Sequence, residues 1–190
     1  MNHSYRDLDR LHELLLVREA QQGQAEAFQT LVDAYEQRLL YFIRRILGEE
    51  DRSLDVLQDV WLTAINRLSS LRSAEAFRVW LYRIARDKAV DAVRSRQRER
   101  EVLADIAESL SDEPVDQIES NFTTENVEFI HHALGLLSAA HREVLTLRFL
   151  EDMSLEEVSQ VVGCSIGTVK SRLHYGQRLL RQKIEELNHA

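Results

Sequence analysis

Apolar residues recur three and four positions apart along most of this chain. That is the period of amphipathic helices. The strongest run is Phe28, Leu31, Tyr35, Leu39, Phe42 and Ile46, which predicts a helix ending at Gly48. A weaker helix is expected before it, over about 5–22. Ser53 is placed to cap a third, with Leu57, Val60, Trp61, Ala64, Ile65 and Leu68 facing inward. Ser73 opens a fourth, whose apolar face holds Phe77, Trp80, Leu81 and Ile84 and whose basic tail runs through Arg98. Beyond Arg98 the pattern dissolves into acids, serines and Pro114, with a short helix expected at about 102–110. Periodicity returns near Thr124, predicting helices over about 125–137 and 139–150.

The stretch MSLEEVSQVVGCSIGTVKSR, 153–172, reads as a helix-turn-helix. Ser154 and Glu157 have the spacing of a capping box. Leu155, Val158 and Val162 share one helical face, and Gly163 stands where a left-handed residue closes the helix. Ser165 caps a second helix with an Ile166, Val169 and Leu173 stripe. The remaining faces carry Thr168, Lys170, Ser171, Arg172, His174 and Tyr175. These are small, polar or basic, as a helix lying in a DNA major groove requires. An ordinary helical hairpin with a solvated polar face is the competing reading.

A net charge of −8 sits poorly with DNA binding until its distribution is read. Residues 1–98 hold 16 bases against 15 acids, and residues 131–190 hold seven of each. The acidity lies in 99–130, where ten acids face Arg100 alone. Seven bases fall between Arg78 and Arg98, and five between Val158 and Ile184, the latter without an acid. Two positive stretches joined by an acidic strap point to two contacts with nucleic acid. Six glycines and one proline leave long helices unobstructed. No apolar run approaches a membrane span, so no membrane insertion is expected. The lone Cys164 excludes an internal disulfide, which fits a reducing cytoplasm. His131, His132, His141 and Cys164 have the spacing of no compact metal set, and no nucleophile arrangement or phosphate loop is present. Neither a metal, a cofactor nor an enzymatic activity is therefore expected.

The motifs DVLQDVWL (55–62), FRVWLYRIARDKAVDAVR (77–94), AHREVLTLRFLEDMSLEEVSQVVGCS (140–165) and GTVKSRL (167–173) occur in that order. Together they resemble bacterial RNA polymerase sigma factors of the extracytoplasmic-function group, over about 24–185. The resemblance implies an all-α fold of two small helical domains joined by an acidic linker, the C-terminal domain containing the helix-turn-helix. Charge and periodicity divide the chain the same way, at about 1–96, 97–123 and 124–190.

The resemblance also implies partners and roles. Asp55, Gln58, Asp59 and Leu62 match the surface that docks on the clamp of the polymerase's largest subunit. Arg72, Ser73, Arg83, Arg86, Lys88, Asp91 and Arg94 match the part that reads and opens the minus-ten element. The loop 69–76 would shape a pocket for a flipped base, although it departs from the Gly/Ser-rich loop common in the family. Trp80 and Trp61 read as core side chains rather than stacking platforms. Residues 140–150 match the contact with the flap of the second-largest subunit. Leu145, Leu147 and Phe149 cannot all face one core. Ser165, Thr168, Lys170, Ser171, Arg172, His174, Tyr175 and Arg178 would meet minus-thirty-five promoter DNA. Many relatives carry Arg-Ala-Arg where this chain has Tyr175, Gly176 and Gln177. The linker is either solvated or an imitation of nucleic acid that threads the RNA channel. An anti-sigma factor completes the implied partners. The alternative is a free-standing helix-turn-helix regulator, but 1–96 matches a docking and DNA-opening module rather than a dimerisation or ligand domain.

Overall fold

In the computed structural model the described residues are 3–48, 51–106 and 132–188, with side chains described within 10–187. All regular structure among them is helical. Helix α1 spans His3–Gln21, α2 Ala25–Leu47 and α3 Asp51–Arg67, followed by two short 3-10 turns and α4, Phe77–Ile106. A helical turn at 132–135 leads to α5, Ala139–Leu145, which passes into a π turn at Thr146–Leu150. Helices α6, Leu155–Val162, and α7, Ile166–Asn188, complete the chain. The helices form two small all-α domains.

The stripe on α2 folds as its spacing requires. Leu31, Tyr35, Leu39, Phe42 and Ile43 are buried, and Gly48 ends the helix at φ 72° with its N–H on the Arg44 carbonyl. Phe42 and Tyr35 pack edge-on against Tyr82 of α4, and Tyr35 also against Phe77. The Tyr35 hydroxyl donates to Glu13 of α1 at 2.5 Å, which fastens α1 to the bundle. Trp61 and Trp80 are half-buried, Trp61 edge-on to Phe28 and Trp80 beside Phe77.

Several elements differ from the sequence reading. Helix α3 begins at Asp51, so Ser53 lies in its first turn, fully buried, and is no cap. Ile65 is 56% exposed rather than inward, on the outer face with Leu54 and Leu62. Helix α4 continues unbroken to Ile106 through the charged residues 96–101. Arg, Glu and Gln are good helix formers, and neither Gly nor Pro interrupts them. The acidic segment 107–131, with most of the expected linker and the start of the helix at 125–137, lies outside the described residues.

The two domains pack on each other. Val144, Leu147, Met153 and Val158 join one apolar cluster with the residues of α2 and α4. Ion pairs among the described residues ring it. Arg38 of α2 reaches Glu151 at 2.6 Å, Arg78 of α4 reaches Glu157 at 3.2 Å, and Arg86 of α4 is hydrogen-bonded to Glu143 of α5.

Candidate nucleic-acid interface

Helix α6 is held by the capping box its sequence announces. The Glu157 N–H donates to Ser154 Oγ at 3.1 Å, and the Ser154 N–H donates to Glu157 Oε2 at 2.7 Å. Gly163 takes φ 67° and its N–H meets the Ser159 carbonyl. The Ser159 hydroxyl then bonds the Cys164 carbonyl at 2.5 Å, which fixes the turn. Ser165 accepts the Thr168 N–H at 3.1 Å and so caps α7. Glu157 also serves the domain interface. Burial alone would raise its carboxyl, but the Ser154 N–H and Arg78 overcome that and hold it below the usual range. Ser154→Ala is expected to cost about 1 kcal/mol and to lower the midpoint of a thermal melt by roughly 2–4 °C. An unchanged melt would show that the cap contributes nothing.

On α7, Val169 and Leu173 are buried, while Thr168, Lys170, Ser171, His174, Tyr175 and Arg178 are exposed along one side. Ile166 is at the margin, 36% exposed. The rings of His174 and Tyr175 meet edge-on at 5.5 Å, so the two present one aromatic surface. The Ser171 hydroxyl donates back to the Gly167 carbonyl at 3.1 Å, which leaves its oxygen only to accept from a ligand. Arg172 does not share this face: it is half-buried and lends its charge to Glu143. Gly176 is buried where α7 meets α5. A Cβ there would lie 3.2 Å from Leu145 and 3.3 Å from His141, so the helices approach more closely than an alanine would comfortably allow.

The residues expected at the minus-ten element spread along the loop and α4. Arg72, Arg83, Asp91 and Arg94 are exposed, with Arg94 3.8 Å from Asp91. Lys88 lies 3.8 Å from Asp59, joining this surface to α3. Ser73 is half-buried and its hydroxyl is bonded to Glu75. Arg86 does not point into solvent; it is spent on the buried Glu143. Burial raises the Glu143 carboxyl above its ordinary range, and Arg86 draws it part of the way back.

On α3, Asp55, Gln58, Asp59 and Leu62 are all exposed, with Val60 fully buried behind them. Leu54, Leu62 and Ile65 are each more than half exposed, so the acids flank an apolar stripe. Such a mixed face fits a partner surface better than bulk water. In the C-terminal domain, Leu145 and Leu147 are buried while Phe149 is 55% exposed. The π turn is what rotates Phe149 out. There Phe149 and Leu150 line an apolar groove of about 420 Å³ with Leu134, Leu180 and Ile184. Sequence reasoning missed the groove, because one wall of it comes from α7, far along the chain from Phe149 and Leu150.

Among the described residues no group of His, Cys, Asp and Glu could hold a metal ion, and no helix is long and apolar enough to cross a membrane.

Comparison with known proteins gives matches over both domains. A family model described as Sigma-70 region 2 matches residues 31–99, and one described as Sigma-70, region 4 matches residues 133–182. The ECF RNA polymerase sigma-E factor of Haemophilus influenzae is 30% identical over 189 residues, covering 94% of this chain and 98% of that protein. Among solved structures, CnrH in complex with the cytosolic domain of CnrY aligns with a TM-score of 0.66 at 26% identity, covering 92% of this chain and 98% of that one. The sigma factor RpoE of Bartonella quintana, in complex with the anti-sigma factor NepR, aligns with a TM-score of 0.69 at 24% identity. Those two covers are 83% and 96%, and this last likeness is one of fold.

Proposed function

The chain belongs to the extracytoplasmic-function sigma factors of the sigma-70 family, and we propose that its exposed faces divide the work of that family among the residues placed above. As a sigma factor it binds core RNA polymerase and directs promoter recognition and the start of transcription. Sigma factors are not enzymes, so its action is binding energy spent on positioning DNA and polymerase.

The α3 face of Asp55, Gln58, Asp59 and Leu62 docks on the clamp of the largest subunit. The groove beside Phe149 seats the flap of the second-largest. The loop 69–76 with Arg72, Ser73, Arg83, Lys88, Asp91 and Arg94 takes the minus-ten element, and Arg86 joins them once released from Glu143. The exposed side of α7 reads the minus-thirty-five element. The observation that carries this division is the separation of three polar faces from the apolar cluster, each presenting a different chemistry. An anti-sigma factor is a further partner, as the family resemblance implies; CnrH, at 26% identity, is likewise described in complex with a second protein, the cytosolic domain of CnrY. The protein works in the cytoplasm, where polymerase meets DNA.

Run-off transcription with core polymerase and a genomic promoter pool tests the reading directly. Specific transcripts that require both proteins are expected. A tight, sequence-specific complex of this protein alone with duplex would favour a free-standing regulator instead. The docking face has its own test. Asp59 is exposed and only 3.8 Å from Lys88, a weak surface pair, so Asp59→Arg should leave the fold intact. It should weaken core binding by about 1–3 kcal/mol by juxtaposing like charges or losing a rim contact. Unchanged affinity for core would refute the face.

A further inference from the structure

Helix α1 has no part in the roles above, yet its last residue reaches into the minus-ten loop. The Gln21 side-chain amide donates to the Leu68 carbonyl at 3.1 Å and to the Leu71 carbonyl at 2.7 Å. An amide nitrogen has two N–H groups. Both are committed to carbonyls that lie 47 and 50 residues away in sequence.

These bonds hold the base of the loop at two points. Leu68 is buried and its carbonyl also receives the Leu71 N–H at 3.1 Å, closing the first 3-10 turn. Ser69, Ser70 and Arg72, between and just beyond the two anchored carbonyls, are exposed. On the far side of the loop Ala74 is buried, and the Ser73 hydroxyl donates to the Glu75 carboxylate. Helix α1 therefore lies against both 3-10 turns and holds the loop at its start through Gln21. An exposed loop of this length without such ties would sample many conformations.

We infer that Gln21 is a positioning residue for promoter selectivity: by fixing the Leu68 and Leu71 carbonyls it sets the shape of the loop that accepts the minus-ten base. The inference rests on the reading that loop 69–76 holds that base. Discrimination by a pocket depends on its walls being held in place, and looseness of about 1 Å defeats it. Gln21 touches no DNA itself. It acts through the backbone it holds.

The experiment is transcription with core polymerase from two promoter libraries, one randomised in the minus-ten element and one in the minus-thirty-five element, with transcripts sequenced. Gln21→Met keeps the volume and removes both donors. Gln21→Glu keeps the shape and sets a carboxylate against two carbonyl oxygens. In both, base discrimination in the minus-ten element should fall by about five-fold or more, the lower end of what one base pair contributes. The minus-thirty-five profile and the affinity for core should stay as in the wild type. The double variant Ser70→Ala, Arg72→Ala changes the loop directly. If it leaves the minus-ten profile intact, the loop is not the base pocket, and the role of Gln21 falls with it. If it shifts the profile while both Gln21 variants do not, the loop reading stands and the inference about Gln21 is wrong. A Gln21 variant that weakens all promoters equally, profile unchanged, assigns the residue to structure alone and also overturns the inference.

Discussion

Lysine at position 143 is expected to separate the two domains. Glu143 is 6% exposed, bonded to Arg86 of α4 and within the field of Arg172 of α7. Glu143→Lys would bury a third cation among two guanidinium groups. Breaking a buried pair in a way that leaves charge uncompensated costs about 3–5 kcal/mol. The protein can escape that cost by moving α5 away from α4. Each domain keeps its own apolar contacts, so helicity should persist while the radius of gyration rises. A compact chain of this length has a radius of gyration of about 16 Å and is roughly 40 Å across. The minus-ten and minus-thirty-five elements are roughly 25 base pairs apart, which is about 85 Å of duplex at 3.4 Å per step. The packed arrangement is too small to engage both. If the loop and α7 engage their proposed elements at the same time, the packed form has to open first, and that opening costs the wild-type protein binding energy. Any ligand that needs the open form has its apparent affinity reduced by the fraction already open. Glu143→Lys should thus strengthen promoter binding by the holoenzyme as it raises the radius. Small-angle scattering that shows an unchanged radius, with cooperative unfolding intact, would sink this account.

The titration of the same group has a defined sign. A carboxyl raised by burial binds its proton more tightly in the packed form. Its contribution to packing is fully present below the ordinary glutamate value of 4.5 and is lost as pH rises through the raised value. Glu143→Gln resembles the protonated form and should keep the domains together while removing that part of the pH dependence. Glu157 runs the other way, because its carboxyl is held low: its contribution is present above 4.5 and is lost as pH falls through the lowered value.

What the sequence made legible was local. The capping box of Ser154 and Glu157, the αL position of Gly163 and the α2 stripe each depend on residues within four positions of one another. Backbone geometry alone decides them. What it hid was non-local. Glu143 and Glu151 are buried, and nothing beside them in sequence announces it, since charged residues are seldom buried unless paired. Their partners Arg86 and Arg38 lie 57 and 113 residues away. For the same reason Arg86 read as a free DNA contact, and nothing near it in sequence marks its pairing with Glu143. The charged run 96–101 misled in another way. Its charge announces solvent, which a helix satisfies as well as a linker does. The contact between Gln21 and the minus-ten loop was equally invisible, because a glutamine at a helix end announces no partner.

Recognition of the minus-thirty-five element gives the other large effect. Lys170, Ser171, His174 and Tyr175 are exposed on the side of α7 opposite the Val169 and Leu173 stripe, so their side chains can enter a groove. Lysine donates, and the bonded Ser171 hydroxyl can accept from a base amine. The paired rings of His174 and Tyr175 suit the methyl face of thymine. A lost base contact is worth about 1–3 kcal/mol of discrimination, or roughly 5–150-fold in preference. His174→Ala and Ser171→Ala should therefore change which sequence is preferred in a library randomised at that element. Arg178 lies a turn further along and is exposed, and we expect it to meet the phosphate backbone. Arg178→Ala should weaken all sequences alike and reduce the salt slope by about one. Arg172 is half-buried and off this face, so Arg172→Ala should leave the preference unchanged. If the Ser171 and His174 variants keep the wild-type preference and differ only in strength, that side of α7 does not lie in the groove. If Arg172→Ala alone changes the preference, the helix is rotated from the orientation its buried stripe implies.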